Sequence, residues 1–278
     1  MSDFIAHIAN CLIKGDVFEK DGTSKIILDL EGKQIEIIQD HKIFNSLNLC
    51  DDFQGKIIES TVAIVRDVHE AEFEFVKEFI QSLCTLLSFI ACSEVTFYSI
   101  EFPGHSSSWA IVGKTNIYDS LIDIRNGALV KDFIITVWKK YRSILKDRKL
   151  DVVFDYLFNA NYPGSTIESK LVFSFVTLES LKYTFAKSKG ILYRNGYFRK
   201  QNGKSYSFIS LLEMMFSDIG IKFNNKDSIK TLRDEIIHSG FSVHDSSYNL
   251  NIFKNVQNLL HTYLVRLIGY DKNIRLYS

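Results

Sequence analysis

The period of the hydrophobic pattern changes along the chain, and this change constrains the fold more than any other sequence feature. In the first part apolar residues alternate with polar ones, as in Ser24–Leu30 and Gln34–Gln39. From about Ala128 they recur at helical spacing, as in Leu129–Leu145. Alternation is typical of half-buried strands, and the longer period is typical of helices packed by one face. We therefore predict an α+β chain in which strands precede helices.

The N-terminal part, residues 1–127, is predicted to be a β-rich α+β unit. Its predicted strands are Ser24–Leu30, Gln34–Gln39, Lys56–Val65, Val95–Phe102 and Trp109–Gly113. Glu31-Gly32-Lys33 is predicted to connect the first two strands as a hairpin, because Gly favours tight turns between alternating runs. Pro103-Gly104 is predicted to end the fourth strand. A helix is predicted from about Glu70 to Ala91.

The C-terminal part, residues 128–278, is predicted to be an all-helical bundle. Its predicted helices are Leu129–Leu145, Thr166–Ala186, Ser207–Ser217, Lys226–His238 and Leu250–Leu267. The helix before His238 has Asn225 or Asp227 as its predicted N-cap and Gly240 as its predicted C-terminal stop. We place the boundary between the two parts near Asn126-Gly127.

Charge is divided unevenly between the two halves, although Lys+Arg 33 balances Asp+Glu 33. Residues 1–138 hold 21 acidic and 11 basic side chains, which gives 11 − 21 = −10, and the remaining 12 acidic and 22 basic side chains give 22 − 12 = +10. Such an asymmetry indicates two units and a polyanionic partner for the basic one.

The positive charge is concentrated between Glu179 and Glu213, where the sequence has no acidic residue. The cations there are Lys182, Lys187, Lys189, Arg194, Arg199, Lys200 and Lys204. The aromatic residues among them are Tyr183, Phe185, Tyr193, Tyr197, Phe198 and Tyr206. Cations bind phosphates and aromatic faces stack on bases, so this stretch, called the basic segment (Lys182–Tyr206), is a candidate surface for single-stranded RNA. Six cations after Lys182 are the candidate RNA-binding residues. The alternative is a solvated basic loop.

Several motifs that would indicate other chemistry are incomplete. Gly113-Lys114-Thr115 lacks the upstream glycine of a phosphate-binding loop, since Ser108 stands there. Ser106–Ser108 is not part of a nucleophile elbow. His238 and His244 have no third metal ligand nearby, so we predict neither metal nor cofactor.

Cysteine usage and the N-terminal sequence indicate a cytoplasmic protein. The cysteines at 11, 50, 84 and 92 have no metal-ligand spacing and are predicted to be reduced and mostly buried. Met1–Asn10 lacks the features of a signal peptide, and no apolar stretch reaches the roughly 20 residues that cross a membrane.

Arg233 and His238 form the one complete candidate motif, an Arg-x4-His pair on a predicted helix. His238 falls in the last turn, where the partial negative charge of the helix end favours imidazolium. Asp234 is four residues before His238 and shares its face, so it can orient the imidazole. Arg233 and His238 lie about 140° apart around an ideal helix, so the arginine must swing round or a second copy must complete the pair. The alternative is a capping histidine beside a surface arginine.

The residues around this pair resemble the HEPN superfamily of helical ribonuclease domains, especially its Apea-like branch of anti-phage defence. Arg233 to His238, with Asp234 as the polar second residue, resembles the Arg-polar-x3-His signature. Val176–Leu181 resembles the preceding acidic helix, and Tyr263–Tyr270 resembles the last helix with its glycine exit. A β-rich unit before the helical domain fits the Apea-like arrangement.

The resemblance implies a homodimeric, metal-independent RNA endonuclease of defence or toxin type. His238 would be the general acid–base and Arg233 would stabilise the phosphate charge, while the attacking group would be the RNA 2′-hydroxyl. Glu179 would orient Arg233 from a facing helix, or be an ordinary surface carboxylate. Residues 1–127 would be a sensor or regulatory domain for a protein or phage-derived trigger. The alternative is a non-catalytic HEPN-like adaptor that dimerises and binds a partner protein or nucleotide.

Overall fold

The computed structural model describes residues 1–40, 52–111 and 120–277. Its contacts divide the chain into two compact units, Met1–Lys139 and Lys140–Ser278. The first unit is built on an antiparallel sheet and the second is mainly helical, so the chain is α+β.

The division between the units lies within helix α2 (Gly127–Ile144), later than the boundary predicted near Asn126-Gly127. The reason is that most of α2 packs in the first unit. Trp138 donates from Nε1 to Glu31 Oε1 at 3.0 Å, and its ring centroid lies 4.8 Å from that of Phe79. A helix thus begins in the sheet unit before the chain enters the second one.

The sheet of the first unit has seven strands among the described residues. They are β1 (Ser2–Ala9), β2 (Val17–Phe18), β3 (Ser24–Leu30), β4 (Lys33–Gln39), β5 (Glu59–Val68), β6 (Thr96–Phe102) and β7 (His105–Ser108). Their order is β2-β3-β4-β5-β1-β6-β7, and each neighbouring pair is antiparallel. Because side chains alternate along a strand, every second residue of β1, β3 and β4 is buried. Helix α1 (Phe73–Ala91), preceded by a 3₁₀ turn at Glu70–Glu72, contacts β1, β5 and β6.

The predicted β3–β4 hairpin is present, with Leu30 opposite Lys33. Glu31 and Gly32 form its two-residue turn with φ of 50° and 76°, the backbone that favours glycine. The strand predicted at Trp109–Gly113 is wrong at residues 109–111, because strand β7 ends at Ser108. The rest of that predicted strand, 112–113, lies outside the described residues. Because the chain turns back at once after Phe102, the polar His105–Ser108 pairs instead.

Three of the four cysteines, Cys11, Cys84 and Cys92, are buried and are not in disulfide bonds, whereas Cys50 lies outside the described residues. Burial raises the pKa of Cys11 to about 12, although the Thr61 hydroxyl opposes this effect. The Cys11 thiol therefore stays protonated, and all three side chains pack as small apolar groups.

Five helices and one short hairpin form the described part of the second unit after α2. They are α3 (Leu150–Ala160), α4 (Ile167–Ser188), α5 (Phe208–Ser217), α6 (Lys226–Ser239) and α7 (Ser246–Leu267), with strands β8 (Tyr193–Arg194) and β9 (Tyr197–Phe198). Helix α4 is the centre, because it packs against α3, α5, α6 and α7. In the described chain no helix is both long enough and apolar enough to cross a membrane.

Polar residues at the helix ends explain where the helices begin and end. Thr166 and Ser207 accept hydrogen bonds from the backbone N–H groups at the starts of α4 and α5. Asn225 caps α6 in a left-handed conformation without a side-chain bond, and Gly240 ends it at φ 84°. Helix α3 was not predicted.

Candidate active site

Arg233 lies on α6 and is held by carboxylates from two helices. Its Nη2 lies 2.5 Å from Oε1 of Glu179 on α4, and its Nη1 lies 2.7 Å from Oδ1 of the adjacent Asp234. Arg233 is 22% exposed, and its Nε is buried without a partner in the described chain. These bonds use two of the five N–H donors of the guanidinium. The arginine is therefore fixed but still reachable.

A second cation and an aromatic ring complete this arrangement. Lys182, one turn after Glu179 on α4, donates from Nζ to Glu179 Oε2. The ring centroid of Phe208 on α5 lies 4.8 Å from the guanidinium carbon of Arg233 and 5.0 Å from Lys182 Nζ. Glu179, Lys182, Phe208, Arg233 and Asp234 are called the Arg233 cluster. It joins three helices through two carboxylates, two cations and one aromatic ring.

The sequence predicts that Asp234 orients His238, but the carboxylate of Asp234 is bound to Lys230 and Arg233 instead. Lys230 Nζ lies 2.7 Å from Asp234 Oδ2, one helical turn away. Burial acts to raise the pKa of Asp234, but the hydrogen bonds from Lys230 and Arg233 outweigh it and lower the pKa below its usual value. Asp234 thus orients the arginine and leaves the histidine free.

His238 is exposed in the last turn of α6, two residues before the Gly240 cap. Its imidazole makes no hydrogen bond or ion pair with any residue that the structure describes. The guanidinium of Arg233 is directed into its cluster by Glu179. The described contacts therefore do not join the two members of the motif to each other, in agreement with their separation around the helix.

The loop after α6 contains a polar network that the sequence did not predict. Glu235 accepts hydrogen bonds from the Val243 backbone N–H at 3.3 Å and from the Ser242 hydroxyl at 3.4 Å, and its Oε2 lies 3.8 Å from His244 Nε2. The single proton of the Ser242 hydroxyl lies between Glu235 and Oδ1 of the buried Asn249, which is 3.0 Å from Ser242 Oγ. This network fixes the loop that follows His238. Its sequence signal is the carboxylate of Glu235 one turn before the end of α6.

The structure separates the cations of the basic segment into paired and unpaired ones. Lys189 Nζ bonds to Asp218 Oδ1 at 2.6 Å, and Lys182 belongs to the Arg233 cluster. The other five make no ion pair with a carboxylate in the described part of the chain. These five are Lys187, Arg194, Arg199, Lys200 and Lys204. Unpaired exposed cations are the ones available to phosphates.

Tyrosine rings lie beneath several of these cations. Lys187 Nζ is 5.8 Å and 5.5 Å from the ring centroids of Tyr183 and Tyr193, respectively. The Arg199 guanidinium carbon is 5.4 Å from the ring centroid of Tyr197, which is 58% exposed. The β8–β9 hairpin therefore presents cations and open aromatic faces side by side.

Comparison of the chain with known protein families, curated proteins and solved structures finds no match in any of the three. Within the described residues no group of three or more His, Cys, Asp or Glu side chains can hold a metal ion. The function is therefore argued from the Arg233 cluster, His238 and the basic segment.

Proposed function

We propose that this chain is a metal-independent RNA endonuclease of the HEPN type. The proposal depends on the different surroundings of two residues of α6. Arg233 is fixed by Glu179, whereas the His238 imidazole is exposed and makes no hydrogen bond in the described structure. Phosphoryl-transfer chemistry needs a fixed cation for the phosphate and a histidine free to exchange protons.

In the proposed reaction the RNA supplies the nucleophile. The 2′-oxygen bonds to phosphorus while the bond from phosphorus to the 5′-oxygen breaks. His238 takes the 2′-hydroxyl proton or gives a proton to the leaving 5′-oxygen, and solvent water carries out the other of these two proton transfers. The remaining donors of Arg233 stabilise the extra negative charge on the phosphate. The products are a 2′,3′-cyclic phosphate and a 5′-hydroxyl.

The basic segment supports RNA as the polyanion. Its five cations without carboxylate partners in the described chain are available to the RNA backbone, and its exposed rings, Tyr183, Tyr193 and Tyr197, offer stacking faces. Stacking on exposed rings needs unstacked bases, so the substrate we propose is single-stranded.

A second copy of the chain is part of the proposal. Apolar residues flank His238 on the surface: Ile237, Phe241 and Val243 are 42%, 58% and 77% exposed. Burying such a patch favours association. Since Arg233 of one chain does not bond its own His238, a homodimer that brings two α6 helices together supplies a composite site.

The test is cleavage of mixed cellular RNA by the purified full-length protein in EDTA. His238→Ala and Arg233→Ala are each expected to slow cleavage by ~10²-fold or more. The wild type is expected to leave 2′,3′-cyclic or 3′-phosphate ends. His238→Ala should leave the melting temperature nearly unchanged, because the side chain is exposed.

His244→Ala is the matched control, because His244 is also partly exposed and lies in the next loop. It is expected to retain cleavage. Loss of activity in EDTA, or 3′-hydroxyl ends, would contradict the mechanism. Equal inactivation by His244→Ala would contradict the assignment to His238.

The composite site has its own test, in which two inactive variants are mixed. Arg233→Ala and His238→Ala proteins, unfolded and refolded together, are expected to regain part of the activity, because mixed dimers contain one site with both residues. No recovery, although light scattering shows dimers, would contradict a site shared between chains.

One observation favours the alternative, a non-catalytic adaptor. The Arg233 cluster ties α4, α5 and α6 together, and an arginine with that structural role needs no histidine partner. The adaptor, which dimerises and binds a partner protein or nucleotide, predicts no RNA cleavage, and Arg233→Ala would then lower the melting temperature without changing the RNA.

A further inference from the structure

A cleft of about 280 Å³ opens between α3 and α4, next to the Arg233 cluster. Its walls come from Val152 and Val153 on α3 and from Tyr183 on α4. Its volume lies at the small end of ligand sites and suits one ring system rather than a stacked pair. Apolar and aromatic walls are what a nucleobase pulled out of its stack requires.

The cleft is next to both parts of the proposed enzyme. Glu179, which lines it, is the carboxylate that holds Arg233. Tyr183 also belongs to the basic segment, where its ring centroid lies 5.4 Å from that of Tyr193. RNA that follows the basic segment toward Arg233 therefore passes the mouth of this cleft.

Positive charge without a counter-ion borders the cleft. Arg148 is 6% exposed and donates from Nε to Thr184 Oγ1, a cleft residue, at 3.1 Å. Its other bonds are to Tyr263 Oη at 2.8 Å and to the Leu181 carbonyl at 3.4 Å, so no carboxylate of the described chain neutralises it. Lys149 is exposed at the edge. A buried cation of this kind favours an anion nearby, such as a phosphate.

The polar atoms of the cleft select among the bases. Each oxygen of Glu179 accepts one hydrogen bond, from Arg233 or from Lys182, and keeps a second lone pair. Guanine presents two adjacent donors, N1–H and N2–H, which match two carboxylate oxygens. Uracil has one such donor between two acceptors, and adenine and cytosine have an acceptor beside their amino group.

We propose that the α3–α4 cleft binds one unstacked guanine of the RNA beside the cleavage site. The ring lies against Tyr183 and the valines, its donors meet Glu179, and its phosphate lies toward Lys149. The proposal rests on the proposed function for its RNA substrate. Its test is nevertheless a binding measurement, which does not require cleavage.

The experiment titrates the full-length protein with GMP, AMP, CMP and UMP by calorimetry. GMP is expected to bind at least five-fold more tightly than UMP. Val152→Trp, which fills the cleft from a position 38% exposed, is expected to abolish the binding of GMP. Tyr183→Ala is expected to weaken it about five-fold or more, because one stacking face is lost. Leu250→Trp, at a 45% exposed position on α7, is the matched control and should bind GMP as the wild type does.

Equal binding of GMP and UMP, or unchanged GMP binding in folded Val152→Trp and Tyr183→Ala, would overturn the guanine site. If Val152→Trp does not fold, Tyr183→Ala decides the question. If the protein cleaves RNA but does not bind GMP preferentially, the guanine site is refuted and the proposed enzyme is not. If it binds GMP preferentially but does not cleave RNA, the proposed enzyme is refuted and the guanine site is not.

Discussion

Replacing Glu179 with glutamine tests whether the Arg233 cluster depends on one carboxylate. Glutamine keeps the size of the side chain and one acceptor oxygen but removes the charge. In the folded chain Glu179 accepts from Arg233 Nη2 at 2.5 Å and from Lys182 Nζ. These three side chains are 32%, 22% and 13% exposed, respectively. In this partly water-excluded place Lys182 would lose its carboxylate partner, and Arg233 would keep only Asp234.

The expected cost follows from these contacts. A hydrogen bond to a charged group contributes ~1.5–3 kcal/mol. Two such bonds are weakened in Glu179→Gln, but one neutral acceptor remains and partial exposure screens the charges. We expect the free energy of unfolding to fall by ~1–3 kcal/mol, which corresponds to ~2–12 °C in melting temperature for a unit of this size. Cleavage should also slow, because Arg233 is no longer fixed.

Glu213→Gln is the matched control, since Glu213 on α5 bonds Lys226 on α6 at 2.6 Å and also joins two helices. That pair is 42% and 46% exposed, so its removal should change the free energy of unfolding by less than ~1 kcal/mol. Urea unfolding and RNA cleavage are measured on both variants. An equal loss of stability in the two would refute the view that Glu179 organises the cluster.

Three further predictions concern other contacts. The lowered pKa of Asp234 provides stability above about pH 4, and this stability is lost as the pH falls through the folded-state pKa. Asp234→Asn should therefore lose less stability on acidification than the wild type, as measured by urea unfolding from about pH 6 to pH 2. Tyr263→Phe should cost ~1–3 kcal/mol in urea unfolding, because the buried Arg148 loses the acceptor 2.8 Å from its Nη2. Lys187→Ala should reduce the slope of log Kd for RNA against log salt concentration by about 1, and Lys189→Ala should reduce it by less, because, of these two lysines, only Lys189 bonds a carboxylate. Fluorescence anisotropy at several salt concentrations measures both slopes.

The sequence predicts strands β3, β4, β5 and β6 and most of the described helices, because the burial of these elements follows simple periods. Strand Ser24–Leu30 is confirmed at the predicted residues, since its alternating apolar side chains are those that enter the core. Thr166 and Ser207, the first residues of two predicted helices, are their N-caps. Where the local hydrophobic pattern agrees with the burial in the folded chain, one sequence is sufficient to predict the element and its ends.

Helix α3 is absent from the predicted elements, although its apolar residues at 150, 153, 154 and 157 have a helical spacing. Strand β7 differs for another reason, because a turn decides its structure. Strand β7 contains three serines, and it pairs only because Pro103-Gly104 returns the chain onto β6. No intrinsic preference of serine predicts that pairing.

The partners within the candidate site are also not predictable from spacing alone. Arg233 and Glu179 are 54 positions apart and meet because α6 packs on α4. Likewise, the charge of Lys189 is neutralised by Asp218, a residue beyond the acid-free stretch. The sequence identifies which residue types are present, but helix packing decides which charges remain unpaired.

The geometry of α6 explains why the two motif residues have different surroundings. Five residues along a helix turn the direction of a side chain by about 140°, so a helix that buries Arg233 against α4 and α5 must present His238 elsewhere. Glu179 and Phe208 fix the first direction, and the Gly240 cap with the Glu235 network fixes the second. Because both directions are fixed, a rotation of the arginine side chain toward His238 would break its bonds to two carboxylates. Joining the pair across two copies of the chain would retain those bonds and cover the apolar residues beside His238, which is why we propose a composite site.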